Sequence, residues 1–215
     1  MPPGRPLIYV LAGVNGAGKS SIGGAALQRA GFDWFNPDTF TRQLMEATGR
    51  PLADANAAAW QEGLRRLEAA IGDGTNHAFE TTLGGNTIAR TLREASRTHD
   101  VTMWFCGLDS PERHIARVRQ RVSRGGHDIP EAKIRERWVA SLANLAALLP
   151  HLSQLQVYDN SVDAAPGQPI PDPRLLLQME AGRIAWPTDV ATLARTPDWA
   201  KPILETALAL QSPAA

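Results

Sequence analysis

The stretch Gly13-Val14-Asn15-Gly16-Ala17-Gly18-Lys19-Ser20 reads G-x-x-x-x-G-K-S, a loop pattern that cradles phosphate and admits few folds around it. Three glycines let the backbone curl so that successive N–H groups point at phosphate oxygens. Lys19 adds a mobile positive charge, and the Ser20 hydroxyl suits Mg²⁺. The candidate nucleotide-binding set is Gly13, Asn15, Gly16, Ala17, Gly18, Lys19, Ser20 and Ser21, with Ser20 as the metal ligand and ATP with Mg²⁺ as the cofactors. Such a pattern is meaningful where a strand feeds it and a helix leaves it. Leu7 to Ala12 is a short continuous apolar run, as in a strand buried on both faces of a parallel sheet. Residues 21 to 30 carry apolar side chains at 22, 26 and 30 at helical spacing, with Gly31 as the stop. An α/β fold with a mostly parallel sheet flanked by helices follows.

Further along, Phe32 to Phe35 is a brief strand candidate, and Asn36-Pro37-Asp38-Thr39 opens a helix with Asn36 as cap and Pro37 at its first position. Asp38 falls in that first turn. There it either complements the helix dipole or stands as a base beside the phosphates. Leu52 to Ile71 reads as an amphipathic helix closed by Gly72-Asp73-Gly74. His77 to Leu83 reads as a strand, with Ala78, Glu80 and Thr82 on one face. A carboxylate inside a strand is costly unless it emerges at the sheet's C-terminal edge, where ligands of open α/β sheets bind. Glu80 is thus a candidate substrate contact, with a salt-bridged structural carboxylate as the alternative.

Residues 86 to 99 form a helix candidate and 100 to 108 a third apolar strand. Asp109-Ser110-Pro111-Glu112 reads as a helix start capped by Ser110 rather than as a metal-binding carboxylate. Seven arginines follow, at 113, 117, 119, 121, 124, 135 and 137, on two helices separated by Gly125-Gly126-His127-Asp128. Two helices joined by a glycine hinge and carrying inward arginines fit a lid over a transferring phosphoryl group, spanning about 111–149. For most of the seven, a solvated face paired with Glu112, Glu131 and Glu136 is the expected reading. A strand at 155–158, a Pro-rich connection, a hairpin over 174–186 and a last helix at 199–210 complete one domain, 1–215, with 165–215 as a C-terminal extension.

The charge balance narrows the partners. Twenty-two basic and 22 acidic residues leave no net charge to draw the chain to nucleic acid or an anionic membrane. The arginine helices also lack the interleaved aromatics of a single-strand platform. The lone Cys106 excludes an internal disulfide and fits a reducing, cytoplasmic compartment. The apolar run before the phosphate loop is too short for a membrane span or a signal-peptide core.

Six motifs in order make residues 7 to 161 resemble the zeta-toxin family of P-loop kinases. They are Gly13 to Ser20, Asn36 to Phe40, Phe79 to Leu83, Arg117 to Pro130 with its Gly-Gly-His element, Arg137 with Ser141-Leu142-Ala143-Asn144-Leu145, and Tyr158 to Ser161. The match is to the short chromosomal branch of that family. The resemblance implies a three-layer P-loop kinase fold with a helical lid and phosphorylation of a hydroxyl on UDP-N-acetylglucosamine. It also implies an antitoxin protein as partner. By it Lys19 binds the β- and γ-phosphates, Asp38 takes the acceptor's proton, Glu80 and Thr82 hold the sugar side, Arg121 and Arg137 are lid arginines on the phosphates, and Asp159 and Asn160 lie near the nucleotide base. One turn after Arg137 the chain carries Ala140 rather than a further arginine. Other readings of the same residues are a kinase of a different small acceptor, a regulatory ATPase acting on a protein, and a nucleic-acid 5′-kinase.

Overall fold

The computed structural model describes residues 4–24, 34–163 and 171–211, with no side-chain description at 21 and 22. Among these residues six strands form one sheet, in the order β2-β1-β3-β4-β5-β6. β1 (Leu7–Ala12) lies between β2 (His77–Thr81) and β3 (Asp100–Gly107) and is parallel to both. β4 (Gln154–Asp159) runs parallel to β3, whereas β5 (Arg174–Glu180) and β6 (Arg183–Trp186) continue the sheet antiparallel. Of the strand candidate at 32–35, Phe35 makes a single parallel bridge to Phe79 at the outer edge, and 32 and 33 lie outside the described residues. Helices flank the sheet in a three-layer α/β arrangement.

The parallel strands all end at one edge, so the loops after Ala12, Thr81, Gly107 and Asp159 meet there. The first of them is the phosphate loop, which runs into one wide turn at Ser20–Gly24. The rest of the expected helix to Ala30, and Gly31, lie outside the described residues. α1 (Pro37–Thr48) begins where Asn36 accepts the Thr39 N–H and ends at left-handed Gly49. α2 (Leu52–Asp73) ends at left-handed Gly74. α3 (Asn86–Ala95) follows β2, one turn shorter than its sequence pattern. α4 (Pro111–Val122) is capped by Ser110, which accepts the Arg113 N–H, so the cap reading of this segment holds. α5 (Glu131–Leu148), the short α6 (Val190–Leu193) and α7 (Lys201–Gln211) complete the set.

The alternating residues Ile8, Val10, Met103, Phe105, Leu155 and Val157 fill the core with Leu92 from α3, Leu145 and Leu148 from α5, and Ile203 and Ala207 from α7. Burial at full depth stabilises by about 1.5–3 kcal/mol for each large apolar side chain. The 165–215 extension thus contributes to the central core: Phe105 and Trp199 pack with ring centroids 6.4 Å apart. A second, smaller cluster joins Val14 of the phosphate loop to Ile115, Val118, Ile129 and Ile134 of α4, its following loop and α5. The arginine-bearing helices are therefore tied by apolar contacts to the loop they border.

Candidate active site

The phosphate loop is held by Cys106, Asn160 and His114 at its backbone and by Arg137 at the Asn15 side chain. Gly13 has φ +139°, and a Cβ there would sit 2.1 Å from the Cys106 carbonyl oxygen, so glycine is required twice over. The Ala17 carbonyl accepts two hydrogen bonds, from Asn160 Nδ2 at 2.8 Å and from the Cys106 thiol at 3.1 Å. Burial pushes Cys106 up to about 12, which keeps the thiol protonated and able to donate. The Asn15 carbonyl accepts from His114 Nδ1–H at 2.8 Å. Burial pulls that imidazole down to about 4, with the nearby Lys19 and Arg117 charges acting the same way, so His114 is neutral near pH 7. The Asn15 side-chain oxygen accepts from Arg137 Nη1 at 2.8 Å.

Lys19 is buried and folds back over its own loop, with Nζ 3.4 Å from the Val14 carbonyl and 3.4 Å from Glu80 Oε1. The other Glu80 oxygen accepts from Ser20 Oγ at 2.8 Å and from Asn36 Nδ2 at 3.0 Å. The resemblance implies that Glu80 holds the sugar side of a substrate, with a salt-bridged structural carboxylate as the alternative; the structure places it against Lys19 and Ser20 while it also lines the neighbouring cavity. The cause is register. β2 pairs directly with β1, with Glu80 opposite Leu11, so its carboxylate emerges beside the phosphate loop. Asn36 was legible only as a helix cap; that an asparagine also has an N–H pair to donate was the available signal.

Asp38 faces the same cavity, of about 280 Å³, which Asn15, Glu80, Thr82 and Arg137 also line. Its carboxylate lies 3.3 Å from Arg121 Nη1 and 3.7 Å from His127 Nε2. Arg121 also donates to the His127 carbonyl at 3.2 Å, which folds the Gly-Gly-His segment onto α1. A Cβ at Gly126 would lie 2.7 Å from the Arg121 stem, so this fold needs a glycine there. His127 stood in the sequence only as part of a motif, and its reach to Asp38 is a tertiary outcome. Arg137 is half-buried, and burial holds its guanidinium below the usual arginine range, opposed by the charges of Asp38 and Glu136.

The remaining sequence candidates divide. Thr82 reaches the cavity, where its hydroxyl also accepts the Gly84 N–H. Asn160 is buried under the phosphate loop, but its neighbour Asp159 accepts from Ser161 and Arg174 instead. Of the other arginines, Arg113 pairs with Asp109 and Asp163, Arg117 with Asp163, Arg119 with Glu131 and Arg135 with Glu112. Those four form surface ion pairs, while Arg137 lines the cavity and Arg121 reaches the cavity's Asp38. Among the described residues no cluster of three or more His, Cys, Asp or Glu is placed to hold a metal, and no helix is long and apolar enough to cross a membrane.

No family profile matches the chain. An uncharacterized protein of Haemophilus influenzae is 31% identical over 127 residues, 59% of this chain and 88% of that one. The chain belongs to that protein's family. A shikimate kinase of Symbiobacterium thermophilum is 38% identical over 102 residues, 45% of this chain, and the chain spans only 55% of that enzyme's length. Among solved structures, the AvrRxo1-ORF1:-ORF2 complex with ATP superposes with a TM-score of 0.64 at 16% identity, over 98% of this chain and 66% of that one. The PezAT chromosomal toxin-antitoxin system of Streptococcus pneumoniae superposes at 0.59 and 14% identity, over 97% and 86%. The shared architecture is a three-layer α/β fold.

Proposed function

We propose that the protein is an ATP-dependent small-molecule kinase that transfers the γ-phosphoryl group to a hydroxyl of its acceptor. The observation that carries this is one cavity in which Asp38 and Glu80 stand beside Asn15 of the phosphate loop, with Arg137 bridging cavity and loop. A hydrolytic switch has no need of a pocket this size lined by a carboxylate pair. ATP would lie with its phosphates on the N–H groups of 13 to 20, its β- and γ-oxygens on Lys19. The acceptor O–H bond breaks as its proton passes to Asp38, the oxygen attacks the γ-phosphorus, and the bond to the β-phosphate oxygen breaks to release ADP. Arg121 and Arg137 neutralise the equatorial oxygens in transit. Ser20 Oγ and Glu80 Oε2, 2.8 Å apart, offer the hard oxygen donors that fit Mg²⁺, whose chemistry there is to screen the phosphate charge.

UDP-N-acetylglucosamine is the acceptor to test first, on the ordered motifs shared with zeta toxins and the architecture shared with the pneumococcal PezAT system. The same likeness supports an antitoxin as partner, and the buried reduced Cys106 supports a cytoplasmic setting. Incubation with ATP and a panel of hydroxylated metabolites containing this nucleotide sugar, followed by mass spectrometry, is expected to show a phosphate-sized mass gain on one acceptor. ADP release with no phosphorylated acceptor would replace this reading with that of an ATPase.

A further inference from the structure

Beside the phosphate loop lies a second, small cavity that shares no lining residue with the one containing Asp38 and Glu80. It offers about 10 Å³ for the centre of a water molecule, which is room for one. Val14 of the loop and Cys106 of β3 line it, together with His114 of α4, Ser141 of α5 and Trp199 just before α7. Three of these side chains are polar and almost wholly out of solvent: His114 is 1% exposed, Ser141 0% and Trp199 5%. Among the described residues, Ser141 Oγ and Trp199 Nε1 find no hydrogen-bond partner. A buried hydroxyl or indole N–H left unpaired is costly, and two of them on one small cavity point to a ligand that pairs with both.

His114 supplies the complementary group. A carbonyl oxygen only accepts, so the ring nitrogen that lies 2.8 Å from the Asn15 carbonyl, Nδ1, carries the proton. The neutral ring then presents Nε2 as an acceptor. Trp199 Nε1 can only donate, His114 Nε2 can only accept, and the Ser141 hydroxyl can do either. A cation could not accept the indole N–H, and a simple anion could not donate to the imidazole. One water does both and keeps a bond for the hydroxyl, and three partners are the usual complement of a buried water. The Cys106 thiol on the same wall is already committed to the Ala17 carbonyl.

We infer that this cavity holds one ordered water, bound by Trp199 Nε1, His114 Nε2 and Ser141 Oγ, and that Ser141 is thereby a positioning residue for the phosphate loop. Ser141 stands one turn after Arg137 on α5, and Arg137 donates to the Asn15 side chain at 2.8 Å. The helix thus holds Asn15 twice: directly at its side-chain oxygen and, through the water and His114, at its backbone carbonyl. Trp199 ties the C-terminal segment to the same loop, although no residue of that segment lines the larger cavity. The inference goes beyond the kinase reading, since it needs only that the loop binds a nucleotide, whatever the acceptor.

A high-resolution crystal structure of the full chain should show a single water within hydrogen-bond distance of all three atoms. Ser141→Ala removes one oxygen and puts the best helix former in its place, so the fold should persist. In that variant the water loses a partner. The nitrogen resonance of His114 Nε2, followed by NMR, should move toward that of an imidazole nitrogen with no donor. ATP affinity in calorimetric titration should fall about twofold to tenfold, the worth of one hydrogen bond. A dry cavity, a Ser141 hydroxyl turned back onto the Arg137 carbonyl, or an unmoved Nε2 resonance overturns the inference. A shifted resonance with ATP affinity unchanged overturns the positioning role of Ser141. Failure of the unaltered protein to bind ATP at all would instead remove the phosphate-loop reading, with the crystal structure and the His114 resonance still deciding the water site.

Discussion

At the scale of single residues, the proposed mechanism gives donor binding and proton transfer to separate groups. Lys19 is the buried cation of the phosphate loop, and Asp38 is a half-exposed carboxylate at the start of α1, 44% open on its side chain. Lys19→Ala should therefore lose ATP affinity and turnover together. Asp38→Asn should keep ATP affinity and lose about 10²–10⁴ in turnover, the usual worth of a general base. Nucleotide titration alongside steady-state rates separates the two, and normal turnover by Asp38→Asn would remove it as the base. His114 gives a prediction in pH. Its folded value is lowered by burial from 6.5 to about 4, so the unfolded chain takes up the proton first as pH falls. Its contribution, on the order of 3 kcal/mol, is present above pH 6.5 and lost as pH falls toward 4. Urea unfolding at pH 7 and pH 5 should show this loss, and His114→Gln should flatten it. Lys19 and Ser20 were legible in the sequence as candidates because the loop motif is local. His114 did not, because its partner is the backbone of Asn15, 99 positions away.

At the scale of elements, the loop after β2 and helix α5 approach closely because Gly84 has no side chain. A Cβ there would lie 2.6 Å from Arg137 Cγ and 3.2 Å from its Cα. Leu83, fully buried, holds a left-handed conformation at φ +54°, and its carbonyl accepts from Asn144 of α5 at 2.9 Å. Gly84→Ala should push α5 outward and draw Arg137 off Asn15. The expected result is a loss of about 1–3 kcal/mol in stability and a lower kcat, read by thermal unfolding and steady-state kinetics. Most of the described helices and strands were legible, since caps such as Asn36 and Ser110 and the stop at Gly74 are written within a few residues of the ends they make. Of the strand candidate at 32–35, the described part contributes one bridge, at Phe35, on the sheet edge.

At the scale of the whole molecule, the C-terminal segment finishes the sheet and core. β5 covers the edge of β4, and Leu176, Leu177, Met179, Trp199, Ile203 and Ala207 are buried in the main cluster. A Cβ at Gly107 would lie 2.3 Å from the Trp199 ring, so the strand that ends beside the phosphate loop is fitted to this segment. A chain cut after residue 163 should therefore expose an unpaired strand edge and much of the core. It should be recovered aggregated or without a cooperative melting transition. Sequence alone determined the phosphate loop, the order of the elements and the two carboxylates at strand and helix ends, because each depends on spacing within one segment. Only the tertiary structure decided what those groups meet. It set Glu80 against Lys19 and Ser20, brought Cys106 and Asn160 to one carbonyl at Ala17, and carried Arg137 to Asn15 across 122 positions. Strand order and register set those distances, and both are fixed by how the buried faces pack together rather than by any one stretch of chain.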